Sequence, residues 1–126
     1  MKSAIVGEYI IQVEQSGHVT VYRIYDNVKE SLREIYNVRG LEYNDKWTTR
    51  QMGSNLIKQL GGDNSVTVGE YVVVKRNNGA IETYRDFGKG NVKEALRSLA
   101  KTVGMEVNPV WNTQTLGSKI IDFVSI

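Results

Sequence analysis

The chain has no cysteine and a single histidine. Without cysteine it can have no disulfide, thiolate zinc site or thiol nucleophile of its own. One histidine is too few for a histidine-rich metal or acid–base centre. Apolar runs stop at three or four residues, whereas a membrane helix needs about 18. Residues Met1 to Glu8 carry a positive charge, but Glu8 and Gln12 break up the apolar residues behind it, so no signal-peptide pattern forms. A cytoplasmic, non-membrane protein is the expectation. Charge of one sign is also missing. The 16 Lys and Arg offset 14 Asp and Glu to leave +2, too even a balance to name an electrostatic partner.

The composition itself is that of a globular chain. Of 126 residues, 40% are apolar and 24% charged, enough for one ordinary domain or two very small ones. The chain is also built twice. Val6-Gly7-Glu8-Tyr9 returns as Val68-Gly69-Glu70-Tyr71, and the offset holds through Gly17/Gly79 and Tyr22-Arg23/Tyr84-Arg85. Two residues are inserted around Gly88-Lys89-Gly90. The register then resumes with Asn27-Val28-Lys29-Glu30 against Asn91-Val92-Lys93-Glu94 and continues through Gly40/Gly104, Trp47/Trp111 and Gly53-Ser54/Gly117-Ser118. Between Val6 and Leu60 there are 21 identities over 55 residues, in unbroken order. Tandem duplication is the reading, with residues 1–62 as the first repeat unit and 63–126 as the second.

Each repeat reads as ββα(β)α. Tyr9 to Val13 and His18 to Tyr25 are rich in β-branched and aromatic residues around a Gln15-Ser16-Gly17 turn. Tyr71 to Lys75 and Ala80 to Arg85 match them around Asn77-Asn78-Gly79. A lone hairpin is marginal in water, and its covering layer follows at once in the chain. Val28, Leu32, Ile35 and Tyr36 recur at helical spacing, as do Val92, Leu96, Leu99 and Ala100. Asn27 and Asn91 are N-cap candidates, and Gly40 and Gly104 sit where left-handed C-caps belong. Second helices are expected over Arg50 to Leu60 and Gln114 to Val124, with Thr49 and Thr113 as caps. Gly53 and Gly117 inside them imply close backbone packing. Leu41-Glu42-Tyr43 and Met105-Glu106-Val107 read as short strands. The fold class is α+β, two such units packed as a pseudo-two-fold pair in one compact domain.

Two groups of residues are candidates for function. Lys46, Trp47, Thr49 and Arg50, with Trp111 and Thr113 opposite them, put aromatics and hydroxyls at a helix start, where free N–H groups receive anions. The competing reading is structural, with the tryptophans anchoring and the threonines capping. Lys46 and Arg50 become Val110 and Gln114, which makes the first repeat the better anion site. Lys75 and Arg76 replace Val13 and Glu14, so the two hairpins differ in charge near their turns. Tyr22-Arg23 and Tyr84-Arg85, with Tyr9 and Tyr71, are the residue types that single-strand-binding sheets use. The second group is the apolar C-terminus, where Ile120, Phe123 and Ile126 suit self-association. No acid is accompanied by a plausible base or nucleophile. No P-loop, dinucleotide fingerprint, EF-hand or zinc spacing occurs. The sequence therefore points to a non-catalytic binding or assembly module acting through protein–protein contact, without cofactor, metal or an identified small-molecule substrate. The alternative is a nucleic-acid-binding protein that uses basic and aromatic residues at the hairpins and helix entrances: Arg23, Lys46, Trp47, Thr49, Arg50, Lys75, Arg76, Arg85, Trp111 and Thr113.

Overall fold

The tetrapeptide that reveals the duplication is itself a turn. In the computed structural model, which describes residues 2–87 and 91–124, Gly7 and Gly69 both have φ +57°. Each is the first of two turn residues, the place a two-residue hairpin reserves for glycine when only that position is left-handed. Val6 pairs with Tyr9 across one turn and Val68 with Tyr71 across the other. A strand therefore precedes each expected hairpin. The sequence reading missed both because Lys2-Ser3-Ala4 and Ser65-Val66-Thr67 are too short and polar to announce one.

Ten elements run along the described residues: β1 (Lys2–Val6), β2 (Tyr9–Val13), β3 (Val19–Ile24), α1 (Val28–Arg39), α2 (Thr49–Gln59), β4 (Ser65–Val68), β5 (Tyr71–Lys75), β6 (Ile81–Asp86), α3 (Val92–Thr102) and α4 (Thr113–Val124). The order βββαα occurs twice, so the protein is an internally duplicated α+β fold. All pairing between β1 and β2, β2 and β3, β4 and β5, and β5 and β6 is antiparallel. Leu41–Tyr43 and Met105–Val107 form no strand, contrary to expectation. Each follows a left-handed glycine: Leu41 N–H donates to Tyr36 O at 2.9 Å, and Met105 N–H to Ala100 O at 2.8 Å. These bonds close the helix end. The alternation of Leu41 with Tyr43, and of Met105 with Val107, reflects one side packed on a core rather than a ladder.

The chain divides into two compact units that do not follow the repeats. One, the terminal unit, comprises Met1–Arg23 with Asp86–Ile126; the other, the central unit, is Ile24–Arg85. In the terminal unit the meander β1–β2–β3 is covered by α3 and α4. Ile11, Val13, Val19 and Val21 meet Leu96, Leu99, Leu116, Ile120 and Ile121 there. In the central unit α1 and α2 cover β4–β5–β6, and Leu32, Ile35, Tyr36, Met52, Leu56 and Ile57 meet Val68, Tyr71, Val73 and Ile81. Each hairpin is thus covered by helices of the other repeat, not by those that follow it. Duplication explains why periodicity pointed elsewhere: the stripe Val28/Leu32/Ile35 is interchangeable with Val92/Leu96/Leu99, so either hairpin satisfies either stripe. The chain is carried across by short links. Tyr25 N–H donates to Thr83 O at 2.9 Å within the central unit, and Phe87 N–H to Val21 O at 2.8 Å within the terminal one.

Gly53 and Gly117 do mark close packing, but between helix backbone and strand side chains. A Cβ on Gly53 would lie 2.6 Å from Ile81 carbons, and one on Gly117 3.2 Å from Val13 and Val19. The expected caps at Asn27 and Asn91 make no side-chain cap bond; Asn27 donates its amide to Glu30 instead.

Candidate functional site

The helix starts singled out by the sequence are closed by their own side chains. Before α2, Asn44 Oδ1 accepts from Lys46 N–H at 2.9 Å. Thr48 then caps the helix, accepting from Gln51 N–H at 3.2 Å, while Thr48 N–H donates to Gln51 Oε1 at 2.9 Å. This reciprocal pair is a capping box. Before α4, Asn108 Oδ1 accepts from Val110 N–H at 3.1 Å and Asn112 Oδ1 from Thr115 N–H at 2.8 Å. The caps are therefore Thr48 and Asn112, and the proposed caps Thr49 and Thr113 are each the first helical residue. One of the N–H groups that an anion would use, that of Gln51 or Thr115, is thereby engaged at each start. Thr48→Ala should cost about 1 kcal/mol by removing the box, measured as a lower urea midpoint. An unchanged midpoint would show that the box contributes nothing.

The tryptophans are half-buried anchors. Trp47 packs on the core of the central unit and Trp111 on that of the terminal unit, where the Lys119 ammonium lies 5.8 Å from the Trp111 ring centre. Lys46 and Arg50 are exposed. The Arg50 guanidinium lies over the β5–β6 turn, 3.3 Å from where a Gly79 Cβ would be, and Gln114 covers Gly17 of the β2–β3 turn in the same way. This position therefore shields a hairpin turn in both units, whether or not it is charged. Arg76 is not an open cation: it donates to Glu82, and to the Tyr84 hydroxyl at 3.2 Å. The Glu82 bond holds its pKa above the usual guanidinium value. Lys75 borders a shallow hollow of about 440 Å³ with Ser54, Lys58 and Asp63.

Arg23 and Arg85 are differently placed. Each is exposed and stands directly across the ladder from a tyrosine, Arg23 from Tyr9 and Arg85 from Tyr71. The Arg23 guanidinium is 5.9 Å from the Tyr9 ring centre and 5.7 Å from Phe87. Arg85 is 5.8 Å from Tyr71 and 5.9 Å from Tyr25. These are cation–π distances. Tyr and Arg come from one repeat and the second ring from the other, so the same cluster is assembled in both units. The sequence reading missed Tyr25 and Phe87, although they occupy matching positions of the two repeats. It grouped Tyr22 and Tyr84 with the arginines, but strand alternation sends neighbours to opposite faces. Tyr22 and Tyr84 are buried at 5% and 0% exposure, and burial raises the pKa of both.

A groove adjoins each cluster. In the terminal unit it measures about 270 Å³ and is lined by Tyr9, Phe87, Glu94, Ser98, Leu99 and Thr102. In the central unit it measures about 440 Å³, between Glu34, Val38 and Arg39 of α1 and the β4–β5 turn. There the Tyr71 hydroxyl donates to Glu34 Oε2 at 2.8 Å. Burial, reinforced by that carboxylate, pushes the Tyr71 phenol up to about 12. Ser98 occupies Glu34's position in the other repeat, so the carboxylate that holds the Tyr71 hydroxyl has no counterpart at that position in the terminal groove.

The C-terminal candidates separate. Ile120 is fully buried in the terminal unit's core and is not exposed on this chain. Phe123 is 44% exposed. Ile126 lies outside the described residues, as does the Gly88-Lys89-Gly90 insertion. Four further ion pairs place cations beside carboxylates: Lys2 with Asp122 at 2.7 Å, Arg97 with Glu94 at 3.0 Å, Arg33 with Asp45 at 3.3 Å and Arg23 with Glu8 at 4.0 Å. Among the described residues no cluster of His, Asp and Glu could hold a metal ion, and no helix is long and apolar enough to cross a membrane. No protein-family model, curated protein or solved structure matches this chain.

Proposed function

We propose that the chain is a non-catalytic binding or assembly module that acts through protein–protein contact, with β1 as a pairing edge and the cytoplasm as its setting. The observation behind this reading is the state of β1. It pairs with β2 and ends its ladder, and Ser3 and Ile5 are exposed on it, Ile5 at 39%. Edge strands are commonly guarded by lysine or proline. Here the one guard, Lys2, is drawn to Asp122. Such an edge accepts an added strand through main-chain hydrogen bonds.

A second reading, nucleic-acid binding, is favoured by Arg23 and Arg85, each held over two rings and exposed. Weighing against it are the capped helix starts, the engaged Arg76 and the carboxylates interspersed among the cations.

Two measurements separate these readings. Light scattering over a range of concentrations should give a mass above the monomer that Ile5→Lys abolishes. Fluorescence polarisation with random-sequence DNA and RNA at two salt concentrations should then show no binding. Salt-sensitive binding lost in Arg23→Ala and Arg85→Ala would instead promote the second reading. A monomer at every concentration would remove self-assembly from the proposal.

A further inference from the structure

We infer that this chain associates with a second copy of itself by exchange, residues 1–23 of one molecule packing against α3 and α4 of the other. The basis is the make-up of the terminal unit. Its two segments, Met1–Arg23 and Asp86–Ile126, are separated in sequence by the whole of the central unit. Its core is formed between them, Ile11, Val13, Val19 and Val21 on one side and Leu96, Leu116, Ile120 and Ile121 on the other. None of these contacts depends on the two segments belonging to one molecule. The repeats already trade helices inside a single chain, so the fold has the form of an exchanged pair with a covalent link.

The central unit is continuous, Ile24–Arg85, and stays closed on its own chain. Exchange is therefore confined to the terminal unit. Reciprocal trading of the N-terminal strands completes two terminal units and leaves no open segment, which makes the product a closed dimer. The opposing factor is entropy. A tethered segment has an effective concentration on the order of mM, so folding in dilute solution gives the monomer. Concentrated refolding gives the dimer, which persists on dilution because its reversal requires unfolding of the terminal unit. This goes beyond pairing at β1 and does not require it.

The absence of cysteine makes the test direct. Lys2 and Asp122 are exposed and form an ion pair across the terminal unit at 2.7 Å. Single variants Lys2→Cys and Asp122→Cys are unfolded together, refolded at high and low concentration, and treated with a short bismaleimide. Mass spectrometry then identifies which chains are joined. The expected result is a covalent pair of one Lys2→Cys and one Asp122→Cys chain after concentrated co-refolding, absent when the variants are mixed already folded. The natural chain refolded at the same concentration should show a dimer mass that survives dilution. A dimer mass without that cross-link overturns exchange while leaving association at β1 standing. A monomer after refolding at every concentration, with native far-UV circular dichroism, overturns exchange as well.

Discussion

Leu96→Ala is expected to destabilise the protein by about 2–5 kcal/mol, with the damage appearing far from it in sequence. Leu96 lies in α3 of the second repeat, is fully buried, and packs in the core that holds Ile11, Val13, Val19 and Val21 of the first. Removing its side chain leaves a cavity under β2 and β3, and the neighbouring side chains can close only part of it. Native-state hydrogen exchange should show the Ile11 and Val21 amides losing protection before those of Val73 and Thr83. Leu32→Ala should do the reverse, because Leu32, equally buried, packs against Val68, Tyr71 and Val73. If each substitution instead deprotected the strands of its own repeat, the crossed arrangement of helices would be wrong.

Gly53→Ala should be destabilising where Gly117→Ala is nearly neutral, although the two residues match in the repeats. A methyl on Gly53 would stand 2.6 Å from two carbons of Ile81 and 2.7 Å from a third, and Ile81 is itself buried, at 8% exposure. Such overpacking costs roughly 1–3 kcal/mol, more than the gain of up to ~1 kcal/mol from replacing a helical glycine. At Gly117 the nearest atoms, on Val13 and Val19, are 3.2 Å away. There the helix gain roughly offsets a displacement of a few tenths of an ångström. Urea midpoints of the two variants decide the matter, and equal shifts would mean that Ile81 does not hold α2 as closely as described.

The candidate site was only partly legible. Arg23 and Arg85 were visible as a repeated pair with Tyr9 and Tyr71, but their second rings arrive from the other repeat. Matching Tyr25 with Phe87 could have flagged those rings without placing them. Lys46, Arg50 and Arg76 stood out by charge. What charge could not show is that Arg50 covers a turn, that Arg76 is bound to Glu82, and that both helix starts are already capped. Hydrogen-bond satisfaction is decided by side-chain geometry, and residue type limits it only loosely.

By itself the sequence determined the duplication, the α+β class and the four helices, with second-helix bounds within a residue of those observed. These follow from local causes: periodicity, turn residues, and an alignment that needs no folding to be read. Tertiary structure alone decided which helices cover which strands, because two near-identical apolar stripes are equally good partners for either hairpin. It also decided the fate of Ile120, whose apolar character suits a core as well as an interface. Burial depends on what lies opposite a residue, and in a repeated chain the choice between equivalent partners is made only when the chain folds.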